Sequence, residues 1–167
     1  MNQNLYVVMG VTGSGKSTVG TMLAHRLGVA FVEGDDFHSS ANVQRMSSGI
    51  PLTDNDRANW LRALASRIRL AKESGRGLVV TCSALKRSYR DVLRAAAPDL
   101  QFVFLTGSRA LIAERVAGRR GHFMPGSLLD SQLATLEQPS PDEHAMLFDI
   151  EESAQEIVEV LLARASA

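Results

Sequence analysis

The sequence predicts an α/β fold, a five-stranded parallel sheet with helices on both faces and right-handed crossovers, formed by residues 1–167 as a single domain. Strand-length apolar runs alternate with stretches of helical spacing along the whole chain. Leu78-Val79-Val80-Thr81-Cys82 reads as a continuous apolar strand of the kind buried on both faces. A glycine-rich segment joins the first strand to the first helix, where an open α/β sheet places its ligand site.

In chain order, Leu5 to Met9 is the first strand, and Ser17 to Leu27 the first helix, with Val19, Met22, Leu23 and Leu27 on one face. Gly28 ends that helix, and Val29 to Val32 is the second strand. Ser39 or Ser40 caps a short helix to Met46, which Gly49-Ile50-Pro51-Leu52 breaks. Asp54 or Asn55 caps a longer helix whose inner face is Trp60, Leu61, Leu64, Ile68 and Ala71, closed by Gly75 and Gly77. After the third strand, Lys86 to Ala97 is helical up to Pro98, and Gln101 to Leu105 is the fourth strand. Ser108 opens a helix through Val116, the basic glycine-rich stretch 118–126 interrupts it, and helix resumes from Leu128 to Leu136. Met146 to Ile150 is the fifth strand, and Ser153 to Arg164 the closing helix, with Ile157, Val158, Leu161 and Leu162 inward.

Gly10-Val11-Thr12-Gly13-Ser14-Gly15-Lys16-Ser17 matches G-x-x-x-x-G-K-[ST] between a strand and a helix, the context this motif requires, and Thr18 continues the helix. Its chemistry is that of a phosphate loop. Glycines let successive main-chain N–H groups face an anion, the helix N-terminus adds partial positive charge, Lys16 reaches the β- and γ-phosphates, and the Ser17 hydroxyl suits one Mg²⁺ position. The sequence therefore predicts nucleoside triphosphate binding by a P-loop NTPase fold.

Bulk composition excludes several other classes. Lys plus Arg and Asp plus Glu both number 18, so no net field draws the chain to nucleic acid or an acidic membrane. No apolar stretch approaches a membrane span and no secretory signal is visible. The single cysteine, Cys82, excludes an internal disulfide and suits a reducing compartment, so a cytoplasmic location is expected. The histidines are too scattered for a metal centre, Trp60 reads as core, and Cys82 as a small buried residue with no base to activate it.

Phosphoryl transfer also needs an acceptor oxygen aligned and charge neutralised. Asp35, just past the second strand, is the best-placed acceptor base, with Glu33 and Asp36 nearer metal or solvent. An aspartate closing the third strand, the usual metal-side acid, is missing at Cys82-Ser83, and Asp149 after Met146-Leu147-Phe148 reads as a turn acid. Arg115, Arg119 and Arg120, with Gly118 and Gly121 as hinges, suggest a flap that closes over phosphates, a lid at about residues 118–127.

Several further blocks accompany the phosphate loop. They are Gly34-Asp35 with His38, Asn42 and Met46; Gly49 to Leu52 with Asp54, Asp56, Arg57 and Trp60; Cys82-Ser83-Ala84-Leu85-Lys86 with Tyr89-Arg90; Arg120-Gly121-His122-Phe123; Gln132; and Leu136-Glu137. Together they resemble the small gluconate kinases of the shikimate-kinase-like type, over nearly the whole chain. The resemblance implies phosphorylation of D-gluconate at its terminal hydroxyl by ATP with Mg²⁺, an adenylate-kinase-like sheet order 2-3-1-4-5, a closing lid and a homodimer. It implies Asp35 as acceptor base beside Lys16, Arg115 against the adenine, and Arg119 or Arg120 across the phosphates. For such an acceptor, Arg57, Lys86 and Arg90 are the expected cations, and His38, His122 and Gln132 the expected partners of hydroxyls. The chain departs from the pattern at Asp36 and Met124-Pro125 without losing a group the mechanism needs. Shikimate or another small hydroxyl compound is the alternative acceptor, and a small GTPase is disfavoured by the lack of an N-K-x-D stretch.

Overall fold

Leu5–Met9 (β1) is buried at every residue because it runs through the middle of the sheet, in a computed structural model that describes residues 4–118 and 126–166. It pairs in parallel with Leu78–Thr81 (β3) on one side and Gln101–Thr106 (β4) on the other, with Val7 opposite Val80 and Phe102. Ala30–Glu33 (β2) and Met146–Asp149 (β5) complete the order β2-β3-β1-β4-β5, every pairing parallel. This is the order the resemblance implied. The central strands are unbroken apolar runs because helices cover both faces, whereas β2 and β5, at the edges, keep partly exposed residues.

Lys16–Leu27 (α1) starts from Gly15 and stops at Gly28, both in the left-handed region, and packs against Ala154–Ala165 (α7). Ser40–Ser47 (α2) is capped by Ser39, which accepts from the Asn42 N–H. Asp54–Glu73 (α3) is capped neither by Asp54 nor by Asn55 but by Thr53. The Asp56 N–H donates to Thr53 Oγ1 at 3.1 Å and the Thr53 N–H to Asp56 Oδ2 at 2.9 Å, a reciprocal capping box. All five residues expected on its inner face are buried. Arg87–Ala96 (α4) packs against α3, Arg109–Ala117 (α5) follows β4, and Gly126–Thr135 (α6) buries Leu128 and Leu129. No helix among the described residues is long and apolar enough to cross a membrane. The greater part of the expected lid, with Arg119, Arg120 and His122, lies outside the described residues.

Candidate active site

The carboxyl ends of β1, β2 and β3 open on one cavity of about 440 Å³. Residues 12–19 of the phosphate loop and α1 form one wall. Glu33, Asp35, Asp36, His38, Arg57 and Ser83 form another, and Arg115, Gln132, Ile150 and Ile157 a third. Its size is that of an ordinary small-molecule site.

The conformational freedom of glycine in the loop has a visible use. Gly13 has φ +78, and a Cβ there would lie 2.5 Å from Val116 Cγ2. The loop thus lies close against α5. Ser14 Oγ lines the cavity and is buried with no hydrogen-bond partner among the described residues. A buried hydroxyl of that kind fits a phosphate oxygen. Lys16 Nζ donates to the Val11 carbonyl at 3.0 Å.

Glu33 is the acid tied to the loop. Its Oε2 accepts from Ser17 Oγ at 2.5 Å and its Oε1 from Thr81 Oγ1 at 2.5 Å. Glu33 and Thr81 are register partners at the ends of β2 and β3, and register is not written in either segment alone. Among the described residues no group of three or more His, Cys, Asp or Glu side chains is arranged to hold a metal. Asp149, the other acid that ends an apolar strand, accepts from the Glu151 N–H at 2.8 Å as a turn acid.

Asp35 sits in a 3-10 turn, Gly34–Phe37, that begins where β2 stops. Gly34 is required there: a Cβ would lie 1.8 Å from the Thr81 carbonyl oxygen. The Gly34 N–H donates to Thr81 Oγ1 at 3.1 Å, and Trp60 Nε1 donates to the Gly34 carbonyl at 2.8 Å. Trp60 is therefore more than the core residue expected, since it fixes the turn that carries Asp35. Replacing Trp60 by Phe keeps an aromatic ring beside His38 but removes the pyrrole N–H and leaves the buried Gly34 carbonyl unpaired. The expected cost is about 1–3 kcal/mol in urea unfolding; wild-type stability would show that this bond holds nothing.

His38 stacks on Trp60 with centroids 4.1 Å apart. Burial pushes its imidazole below the ordinary value, Asp35 opposes this, and Arg57 adds to it. Asn42 Nδ2 donates to the Asp56 carbonyl at 2.8 Å and lies 3.4 Å from His38 Nδ1.

The three expected acceptor-side cations separate. Arg57 lines the cavity, donating to Tyr89 Oη at 3.1 Å. Lys86 lies off the cavity wall, in an ion pair with Asp54 at 3.0 Å, and Tyr89 Oη donates to the same carboxylate. Arg90 departs furthest from expectation. Its side chain is sealed in the interior, donating from Nε to Glu143 Oε1 at 2.7 Å, from Nη2 to Glu143 Oε2 at 3.1 Å and from Nη1 to the Ala84 carbonyl at 2.8 Å. A group with no exposed surface offers nothing to a ligand. Gln132 accepts from the Thr12 N–H at 2.8 Å, on the phosphate loop, and Arg115 donates to the Ile150 carbonyl at 2.6 Å while lining the cavity. Cys82 is buried, and burial pushes its thiol up to about 12, so it is no nucleophile.

Comparison with known proteins agrees with this geometry. A family described as an AAA domain matches residues 5–139. The gluconokinase of Gluconobacter oxydans is 51% identical over 156 residues, 93% of this chain and 88% of that protein. The thermoresistant gluconokinase of Escherichia coli is 40% identical, covering 94% of this chain and 90% of that one. The crystal structure of a gluconokinase from Sinorhizobium meliloti superposes with a TM-score of 0.86 at 51% identity, over 96% of this chain and 90% of that one. With a phosphate loop, an acid-bearing turn and a cation on one cavity, and such identity over nearly its full length, the chain belongs to the gluconokinase family of P-loop kinases.

Proposed function

We propose that the protein transfers the γ-phosphoryl group of ATP to the terminal hydroxyl of D-gluconate, giving 6-phospho-D-gluconate and ADP. The observation that carries this is the single cavity in which the phosphate loop and Asp35 share the wall with His38 and Arg57. Main-chain N–H groups of the loop and the N-terminus of α1 hold the triphosphate, with Lys16 on its outer phosphates. Asp35 orients the acceptor hydroxyl and takes its proton as the new P–O bond forms and the bond to the ADP oxygen breaks. Arg57, held by Tyr89, meets the carboxylate at the other end of the acceptor, and His38 serves its hydroxyls. Arg115 borders the adenine side. Arg119, Arg120 and His122 are the expected contribution of the lid.

Ser17 and Glu33, in contact with each other beside the phosphate loop, are the residues that would hold Mg²⁺. There it would supply charge neutralisation at the phosphates. A homodimer in the cytoplasm completes the proposal, and light scattering at micromolar concentration tests the assembly.

A coupled assay of ADP release with gluconate, shikimate and nucleoside monophosphates tests the acceptor. Gluconate should give the dominant rate, because a site built to bond its hydroxyls leaves buried groups unpaired when they are missing. A signal from shikimate and none from gluconate would overturn the assignment.

A further inference from the structure

We infer that Gln132 is a positioning residue of the phosphate loop and not a ligand of the acceptor's hydroxyls. The inference rests on the phosphoryl-transfer function proposed above. Gln132 Oε1 accepts from the Thr12 N–H at 2.8 Å, and Lys16 Nζ donates to the Val11 carbonyl at 3.0 Å. These two groups belong to one peptide unit. In a trans peptide the N–H and C=O point in opposite directions, and no cis peptide occurs among the described residues. Gln132 and Lys16 therefore grip the two sides of the Val11–Thr12 peptide, and each bond polarises the other.

A main-chain N–H can only donate, so the Gln132 amide is oriented with its oxygen toward the loop. Turning the peptide over would point its N–H at the Lys16 ammonium, donor against donor. Gln132 thus fixes which way this peptide faces, and with it the resting place of the lysine that serves the phosphates. The grip comes from a firm support. Gln132 stands on α6, whose Leu128 and Leu129 are 2% and 1% exposed, and the chain just beyond is tied down where the Glu137 N–H donates to the Leu85 carbonyl at 2.7 Å. Loop residues acquire their precision from such supports.

The test uses the full chain with two variants. Gln132→Met keeps the size and removes the acceptor. It should move the Thr12 amide proton upfield in nitrogen–proton spectra and weaken a non-hydrolysable ATP analogue about tenfold by calorimetry, the worth of one net hydrogen bond. The KM for gluconate should stay within about twofold, since uniform binding of the acceptor is untouched. Gln132→Glu restores an acceptor and should return the Thr12 proton downfield, through a charge-assisted bond. An unmoved Thr12 resonance in Gln132→Met, a failure of Gln132→Glu to restore it, or a gluconate KM raised tenfold with analogue affinity intact would each overturn the inference. The spectra and calorimetry need no acceptor. A wild-type protein that ignores gluconate would sink the proposed reaction and leave Gln132's place on the loop to be judged separately.

Discussion

Replacing Asp35 by Asn should lower turnover with gluconate by about a thousandfold, within the 10²–10⁴ range of a lost general base, while a non-hydrolysable ATP analogue binds as before. Asn keeps the size of the side chain and cannot take the hydroxyl proton. Nucleotide affinity is spared because the loop's own groups, from Gly10 to Ser17, hold the phosphates. Asp35 is singled out from its neighbours by what each acid already does. Glu33 has both oxygens engaged by Ser17 and Thr81. Asp36 shares the cavity but follows Asp35 in the turn, one position further from the strand end. The turn itself is held on three sides, by the contact of Gly34 with the Thr81 carbonyl, by Thr81 Oγ1 and by Trp60 Nε1. Asp36→Asn, made in parallel, should change turnover by less than about threefold, as for an acid outside the chemistry. Single-turnover measurements separate the chemical step from product release. Near-normal turnover in Asp35→Asn, or a large loss in Asp36→Asn, would take Asp35 out of the role of base.

The parts of this site that could be read from the sequence are those whose chemistry is contained in one segment. The phosphate loop is contiguous, and its flanking strand and helix are each legible from periodicity. Asp35 stands next to a strand end, and the ends of parallel strands are where such folds act. The inner face of α3 follows from spacing alone. What escaped depends on partners far along the chain. Thr53 does not stand out as a cap in the sequence because Asp54 and Asn55 are equally good capping residues; only the Asp56 carboxylate reaching back to the Thr53 N–H decides among them. Glu33 could be read only as one of three acids, since its link to Thr81 depends on strand register. Lys86 and Arg90 look like a cationic pair one helical turn apart. Asp54 engages the first from 32 residues away and Glu143 the second from 53 residues away. In both cases the local sequence announces a positive charge and is silent about what neutralises it.

That second partnership carries the largest expected effect on stability. Glu143→Gln should cost about 3–5 kcal/mol in denaturant unfolding at neutral pH, the loss expected when a buried charge is deprived of its partner. Arg90 has no exposed surface, and the Glu143 side chain is 1% exposed, so water cannot take over the lost interaction. Arg94 Nη2 also donates to Glu143 Oε1 at 3.0 Å, and the Ser140 N–H to Oε2 at 2.9 Å, so one carboxylate joins α4 to the loop that follows α6. Through the Ala84 carbonyl the Arg90 guanidinium holds the turn after β3, where Ala84 itself has φ +47 and Ser83 meets the cavity. A double variant, Arg90→Met with Glu143→Leu, should recover only part of the loss: the buried charge is gone, but the Ala84 carbonyl and the Ser140 N–H are left without their partners. The pH dependence gives an independent check. Burial favours the neutral acid, but the bonds from Arg90, Ser140 and Arg94 outweigh it and hold the Glu143 carboxyl at about 2, below an ordinary value of 4.5. A carboxyl depressed in the folded state contributes its full stability above the unfolded value and loses it as pH falls toward the folded one. Wild-type protein should therefore lose stability between about pH 4.5 and pH 2 more steeply than Glu143→Gln, which has no proton to take up at that position. Equal slopes across that window, or a Gln variant as stable as wild type at neutral pH, would mean that the Arg90–Glu143 pair does not hold these elements together.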